Sequence, residues 1–307
     1  MALLALLLIP CAEASTDMTV KLEGTATGQD FPALLIHLAR DGEDCGHLRI
    51  RFPEGIDANL AGTREHLKFY QDLRSPAWPA KLETEPTNLP VDWAGDDQSV
   101  SYEMTFDNGM VLKAKATVDG ATVTLSYELL NATDIDLSSC QIWSCNIATF
   151  CPPIADHLLE RTGIMVDGSF RLFRDLVPTF KPWDRPDAEY QRFGGYPEGT
   201  IPKTENPMVH PHPGFPDDPT KSNYFYHATK PFDFGVIATT SIDGTWAVAT
   251  IGEGVNAVWT NPGISCQHAD PAGKPLPPGE TLEAGKTIHL IEGDTQALEA
   301  RLGELAP

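Results

Sequence analysis

The sequence predicts a mainly β protein: a large antiparallel β-sandwich with a long proline-rich loop layer and a few short helices. Three observations carry this reading. From Val100 to Leu129, apolar residues alternate with Ser, Thr, Lys or Glu through three successive runs. That period of two places one face on a core and the other towards water. The runs are divided by Asp107-Asn108-Gly109 and Asp119-Gly120, and Asn-Gly and Asp-Gly are strong hairpin signals because both turn positions need positive φ. A further Asp243-Gly244 joins Phe234–Ile242 to Thr245–Ile251. Neither of those runs has much polar character, which predicts central strands covered on both sides.

The two meander turns are expected to differ. Val118 and Ala121 flank a two-residue loop with their apolar faces matched. At the first turn a three-residue loop, with Gly109 in the left-handed region, pairs Phe106 with Met110 and keeps Asp107 off the core.

Upstream, Thr19–Glu23, Ala33–Ala39 and Leu48–Phe52 read as strands with turns at Gly28 and Asp41-Gly42. Glu65–Leu73 reads as one or two helical turns, and Ser75–Asp97 as a proline-bearing loop. After the meander, Asn131–Leu137 is a turn leading into a strand over Cys140–Ile147. Ile154–Arg161 is a short helix candidate between Pro152-Pro153 and Gly163. Ile164–Phe173 forms a small hairpin about Asp167-Gly168. From Pro178 to Pro231 the periodicity stops, and eleven of the 26 prolines fall there. Its many aromatics argue for an ordered layer lying over the sheet. Asn256–Thr260 and Thr287–Ile291 are further strands, and Thr295 caps a final helix with Leu298, Leu302 and Leu305 on one side.

The chain has 307 residues, 41% of them hydrophobic, which suits one folded domain with a sizeable core. Met1–Ile9 is an apolar run too short to span a bilayer, and Ala12-Glu13-Ala14 is a small-x-small cleavage pattern. Residues 1–14 are therefore expected to be a secretory signal peptide and residues 15–307 a single β-sandwich domain, secreted or periplasmic. No other run is long enough for a membrane helix. Without Glu13, 22 Lys and Arg stand against 42 Asp and Glu, a net charge of −20. Such a surface repels phosphate backbones and excludes nucleic acid as a partner. Cys45, Cys140, Cys145, Cys151 and Cys266 match no zinc spacing; one local bridge or buried thiols both fit them.

There is no Gly-x-Ser-x-Gly elbow, phosphate loop or His-Glu-x-x-His, so no cofactor is expected. Gly252-Glu-Gly254-Val-Asn-Ala257 resembles a dinucleotide fingerprint, but a strand-like run and Pro262 follow where a helix must start. The densest polar cluster is His210-Pro-His212, with His227 after it and His268-Ala-Asp270 later. His210 and His212 share a side in an extended segment. Brought together, these groups suit proton transfer or a divalent metal, with loop-surface histidines as the plain alternative. His210, His212 and His268 are the candidate catalytic residues. His227, Asp270, Tyr226, Trp183, Trp259 and Arg174 are the candidate ligand-binding ones, the rings because sugars stack their C–H faces on aromatics.

Asn131-Ala-Thr133-Asp-Ile-Asp-Leu137 between two strands resembles a turn of galactose-mutarotase-like supersandwich domains. Pro278-Gly279-Glu280-Thr281 before Lys286–Leu290 is similar to their closing strand. This resemblance implies a carbohydrate-binding β-sandwich. The epimerases of that group use a histidine and a glutamate, and no histidine here sits in a matching motif. The functional expectation is a carbohydrate-interacting protein, either a mutarotase-like or other carbohydrate-modifying enzyme. A non-catalytic glycan-binding module and a metal-dependent hydrolase are the alternatives.

Overall fold

The computed structural model describes residues 17–26, 32–62, 66–71, 84–177, 192–199 and 225–307. The proposed signal peptide, His210, His212 and Trp183 lie outside them. No helix among the described residues is long and apolar enough to cross a membrane.

The described residues form a mainly β fold with two large sheets face to face and a smaller one beside them. The nine-stranded sheet runs Ser169–Leu172, Thr162–Val166, Val236–Thr240, Trp246–Gly252, Thr281–Glu292, Thr122–Leu130, Val111–Asp119, Ser99–Thr105, Ala94–Gly95 from edge to edge. The eight-stranded sheet runs Met18–Ala26, Pro32–Arg40, Glu43–Arg51, Asn146–Ile147, Cys266–Pro271, Val255–Thr260, Arg192–Gly195, Phe225–His227. A four-stranded sheet holds Lys274–Leu276, Leu137–Trp143, Gly55–Leu60 and His66–Gln71. Pairings are antiparallel except between Arg192–Gly195 and Phe225–His227. One core lies between the large sheets. Leu34, Ile36, Leu48 and Ile50 meet Met104, Leu112, Leu125 and Ile288 there, all fully buried.

The meander is as the alternation predicts, and its buried face carries Tyr102, Met104, Leu112, Ala114, Val123 and Leu125. Phe106 N donates to Met110 O at 3.0 Å across a three-residue loop in which Gly109 has φ 90°. The second turn is shifted by one residue: Asp119 pairs with Thr122, so Gly120-Ala121 is the loop. Both registers preserve the apolar faces. The observed one puts glycine first, at φ 58°, as a II′ turn requires, and spares Asp119 a left-handed conformation.

Four other expectations are corrected. Residues 66–71 form a strand on the edge of the four-stranded sheet, not helical turns; pairing with Gly55–Leu60 is a distant contact that overrides weak local helix preference. Ile154–Arg161 is not a helix. The Asp156 carboxylate accepts the N–H groups of Glu160 and Arg161 and the Thr162 hydroxyl, so the chain wraps that side chain instead of its own carbonyls. Asp294, not Thr295, caps the final helix Thr295–Leu305, accepting from Gln296 N and Ala297 N. Two described pieces of the proline-rich stretch extend the eight-stranded sheet at its edge and are not part of a loop layer.

Gly55 opens its strand in the four-stranded sheet, where it pairs with Trp143 and leaves room for the indole. A methyl group there would lie 2.6 Å from the Trp143 ring. Gly55→Ala is therefore expected to cost about 1–3 kcal/mol in a urea melt, since a well-packed neighbour must shift. A neutral substitution would refute this packing.

Candidate site on the outer face of the eight-stranded sheet

Strand alternation divides the eight-stranded sheet cleanly. Leu48 and Ile50 point into the core, so Arg49 and Arg51 point outward. Likewise Gln267 faces inward, accepting from Thr250 Oγ1 at 2.7 Å and donating to Thr239 Oγ1 at 2.8 Å. Cys266 and His268 face outward.

Register then assembles one row across that outer face. Arg51 N donates to Cys145 O, and Asn146 pairs with Gln267, which sets Cys145 beside His268. His268 pairs with Trp259, Trp259 with Gly194, and Gly194 with His227. Gly194 contributes no side chain, leaving a gap between the indole and the second imidazole. The Trp259 and His268 rings stack at 3.3 Å and 11°, and Tyr196 meets the His227 ring edge-on at 5.1 Å. Trp259, Arg51 and Tyr196 are partly exposed, whereas His268 is sealed.

A chain of alternating charges runs beneath the row. Arg51 donates to Glu54 Oε1 at 2.9 Å, and Glu54 Oε2 lies 3.7 Å from His268 Nε2. His268 Nδ1 lies 3.0 Å from Asp270 Oδ2. Lys286, from the nine-stranded sheet, donates to Asp270 Oδ1 at 2.7 Å and to Ser144 O at 2.6 Å. Ser144 N also donates to Asp270 Oδ1. Burial opposes ionisation of Asp270, yet Lys286 and His268 hold its carboxyl down to about 2. A carboxylate so readily ionised only accepts, so Nδ1 carries the shared hydrogen and Nε2 faces Glu54.

Burial also disfavours a charged His268, but Cys145 and Asp270 outweigh it and push the imidazole up to about 9. Cys145 attracts a proton only as a thiolate, and burial holds that thiol well above its ordinary range. Asp270 is therefore the partner that raises the imidazole above its ordinary range. Glu54 Oε2 and His268 Nε2 are both buried without a hydrogen-bond partner.

Among the residues singled out by sequence, the fold brings His268, Asp270 and Trp259 into contact and aligns His227 with them. Tyr226 points the other way, stacking on Phe193 at 4.7 Å in the core between the sheets. Arg174 sits on the short helix Phe173–Leu176, pairs with exposed Glu160 at 3.4 Å and does not join the row. Glu54, Lys286, Arg51 and Cys145 were not anticipated. Pro53-Glu54-Gly55 reads as an ordinary turn and Lys286 as the solvent side of an alternating strand. All five thiols at Cys45, Cys140, Cys145, Cys151 and Cys266 are free, and only Cys45 is not buried.

No known protein family's model matches the chain, and no curated protein matches it. Solved structures do. An aldose 1-epimerase candidate from Escherichia coli K12 is 9% identical with a TM-score of 0.43, covering 90% of this chain and 99% of its own. A galactose mutarotase-like protein from Clostridium acetobutylicum is 10% identical with a TM-score of 0.41, covering 89% and 99%. An α-N-acetylgalactosaminidase from Bifidobacterium bifidum, solved with GalNAc, is 10% identical with a TM-score of 0.40, covering 92% of this chain and 38% of its own. The chain's own strand order and register define the fold described above.

Proposed function

We propose that this is an exported carbohydrate-interacting protein whose ligand lies on the outer face of the eight-stranded sheet. One observation carries the reading: a partly exposed indole, Trp259, stands in the same row as the Arg51–Glu54 fork. A sugar needs an aromatic surface for its C–H face and paired charged groups for its hydroxyls, and shallow sites of this kind combine the two. Export is supported by the apolar Met1–Ile9 run and the Ala12-Glu13-Ala14 pattern.

The enzymatic form of this reading uses Glu54 and His268. Interconverting the anomers of an aldose needs a proton delivered to the ring oxygen and one withdrawn from the anomeric hydroxyl. His268 is a proton store sealed under Trp259, and Glu54, the member of the couple that retains some exposure, meets the ligand. A glycan-binding module has the same face without the proton transfer.

Saturation-transfer NMR against a panel of neutral and acidic monosaccharides tests the binding. Wild type is expected to respond, and Trp259→Ala to weaken affinity at least tenfold with an unchanged circular dichroism spectrum. Magnetisation exchange between α and β anomers separates enzyme from binder. Glu54→Gln is expected to keep the saturation signal and lose the exchange. Silence across the panel would sink the carbohydrate reading.

A further inference from the structure

We propose that Cys145, Cys266 and His268 bind one zinc-class divalent ion, with the Glu54 carboxylate, 3.7 Å from His268 Nε2, moving in to complete its shell. The ligand atoms of Cys145, Cys266 and His268 all lie within 4.8 Å of one another, and all three residues are buried. Tetrahedral zinc, with bonds of about 2.3 Å to sulfur and 2.0–2.1 Å to nitrogen, sets its ligand atoms roughly 3.5–4 Å apart. Small side-chain rotations span the difference.

Two independent features point to a ligand rather than to a plain buried cluster. His268 Nε2 and Glu54 Oε2 lack hydrogen-bond partners although both are buried, and they face each other at 3.7 Å. At 3.7 Å the two are too far apart to share a hydrogen bond, and buried polar atoms without one are costly unless something binds them. The second feature is the support behind the imidazole. Asp270 accepts the Nδ1 hydrogen and is itself held by Lys286 and Ser144 N, which fixes the ring with Nε2 towards Glu54 and the two thiols. A carboxylate behind a metal-bound histidine is the usual second support of such centres.

The donor set also selects the ion. Two thiolates, an imidazole and a carboxylate suit zinc or cobalt and disfavour magnesium and calcium, which take oxygen ligands. Binding releases one proton from each thiol and one from Nε2 of a protonated imidazole, three protons against two charges gained, so the site becomes one unit less positive. Arg51 on Glu54 and Lys286 on Asp270 balance the remaining negative charge.

An ion at Nε2 excludes the proton that the enzymatic reading assigns to His268, so the loaded and proton-transferring states are alternatives. The test therefore uses no sugar. Cobalt(II) titrated into the reduced full-length protein is expected to give thiolate-to-cobalt charge-transfer absorption in the near ultraviolet, with intense tetrahedral bands in the visible. One equivalent should saturate the signal, zinc should erase it and magnesium should not. Cys266→Ser is expected to halve the charge-transfer intensity. Asp270→Asn is expected to weaken affinity about 10–100-fold while the thiolate band survives. The wild-type spectrum decides the matter even where a variant fails to fold. Absence of the charge-transfer band in reduced wild type overturns the proposal, as does a band that persists after both thiols are replaced.

Discussion

Lys286→Met is expected to lower the free energy of unfolding by about 3–5 kcal/mol, measured as the loss of ΔG in urea melts at neutral pH. Methionine preserves most of the volume, so packing is nearly unchanged and the charge is what disappears. The ammonium is sealed between Ser144 O and Asp270 Oδ1. Its removal leaves a buried carboxylate supported only by His268 and Ser144 N. An isolated charge in such a place costs far more than the intact pair contributes, which is why the single deletion is severe. Adding Asp270→Asn to Lys286→Met is expected to recover part of the loss. The exposed Lys230–Asp167 pair, although 2.6 Å apart, makes the control: Lys230→Met is expected to leave the melting midpoint in place. A loss under about 1 kcal/mol for Lys286→Met would show that water reaches this network.

Asn131→Ala is expected to cost about 3–4 kcal/mol, the second largest effect of a single side chain. Asn131 is fully buried. Its Nδ2 donates to Ile135 O and to Leu276 O, each at 2.9 Å. Its Oδ1 accepts from Thr133 N at 3.1 Å and from the Thr133 hydroxyl at 2.6 Å. The backbone adds two more bonds, Asn131 N to Glu280 O and Gly279 N to Asn131 O. The residue therefore ties the turn 131–137 to the segment 276–280. Alanine keeps the backbone bonds but strands two carbonyls and an amide in a dry place. Thermal and urea melts check the size of the effect, and hydrogen exchange at Thr133 N should rise. A change under about 1 kcal/mol would mean that the two segments hold together without this amide.

Those same two segments, Asn131–Leu137 and Pro278–Thr281, carry the sequence resemblance to mutarotase-like domains, although nothing in their order shows that they touch. The meander was legible for a local reason: alternation and turn glycines act between residues a few positions apart. Where two local preferences competed, the outcome moved. Gly120 drew the loop one residue along, and Asp156 replaced helical carbonyls as the acceptor for Glu160 and Arg161.

By itself the sequence determined the meander, the hairpin about Asp243-Gly244 and most of their inward faces, because a period of two and a left-handed glycine are properties of neighbouring residues. It also marked His268, Asp270 and Trp259 as polar and aromatic groups near one another in the chain. Only the tertiary structure decided that Arg51, Glu54, Cys145 and Lys286 belong with them. That grouping depends on the register of five strands drawn from distant parts of the chain, and on the burial of an ordinary lysine and glutamate beside them. Pairing register and desolvation are set by the whole sheet, so no single stretch of residues encodes them.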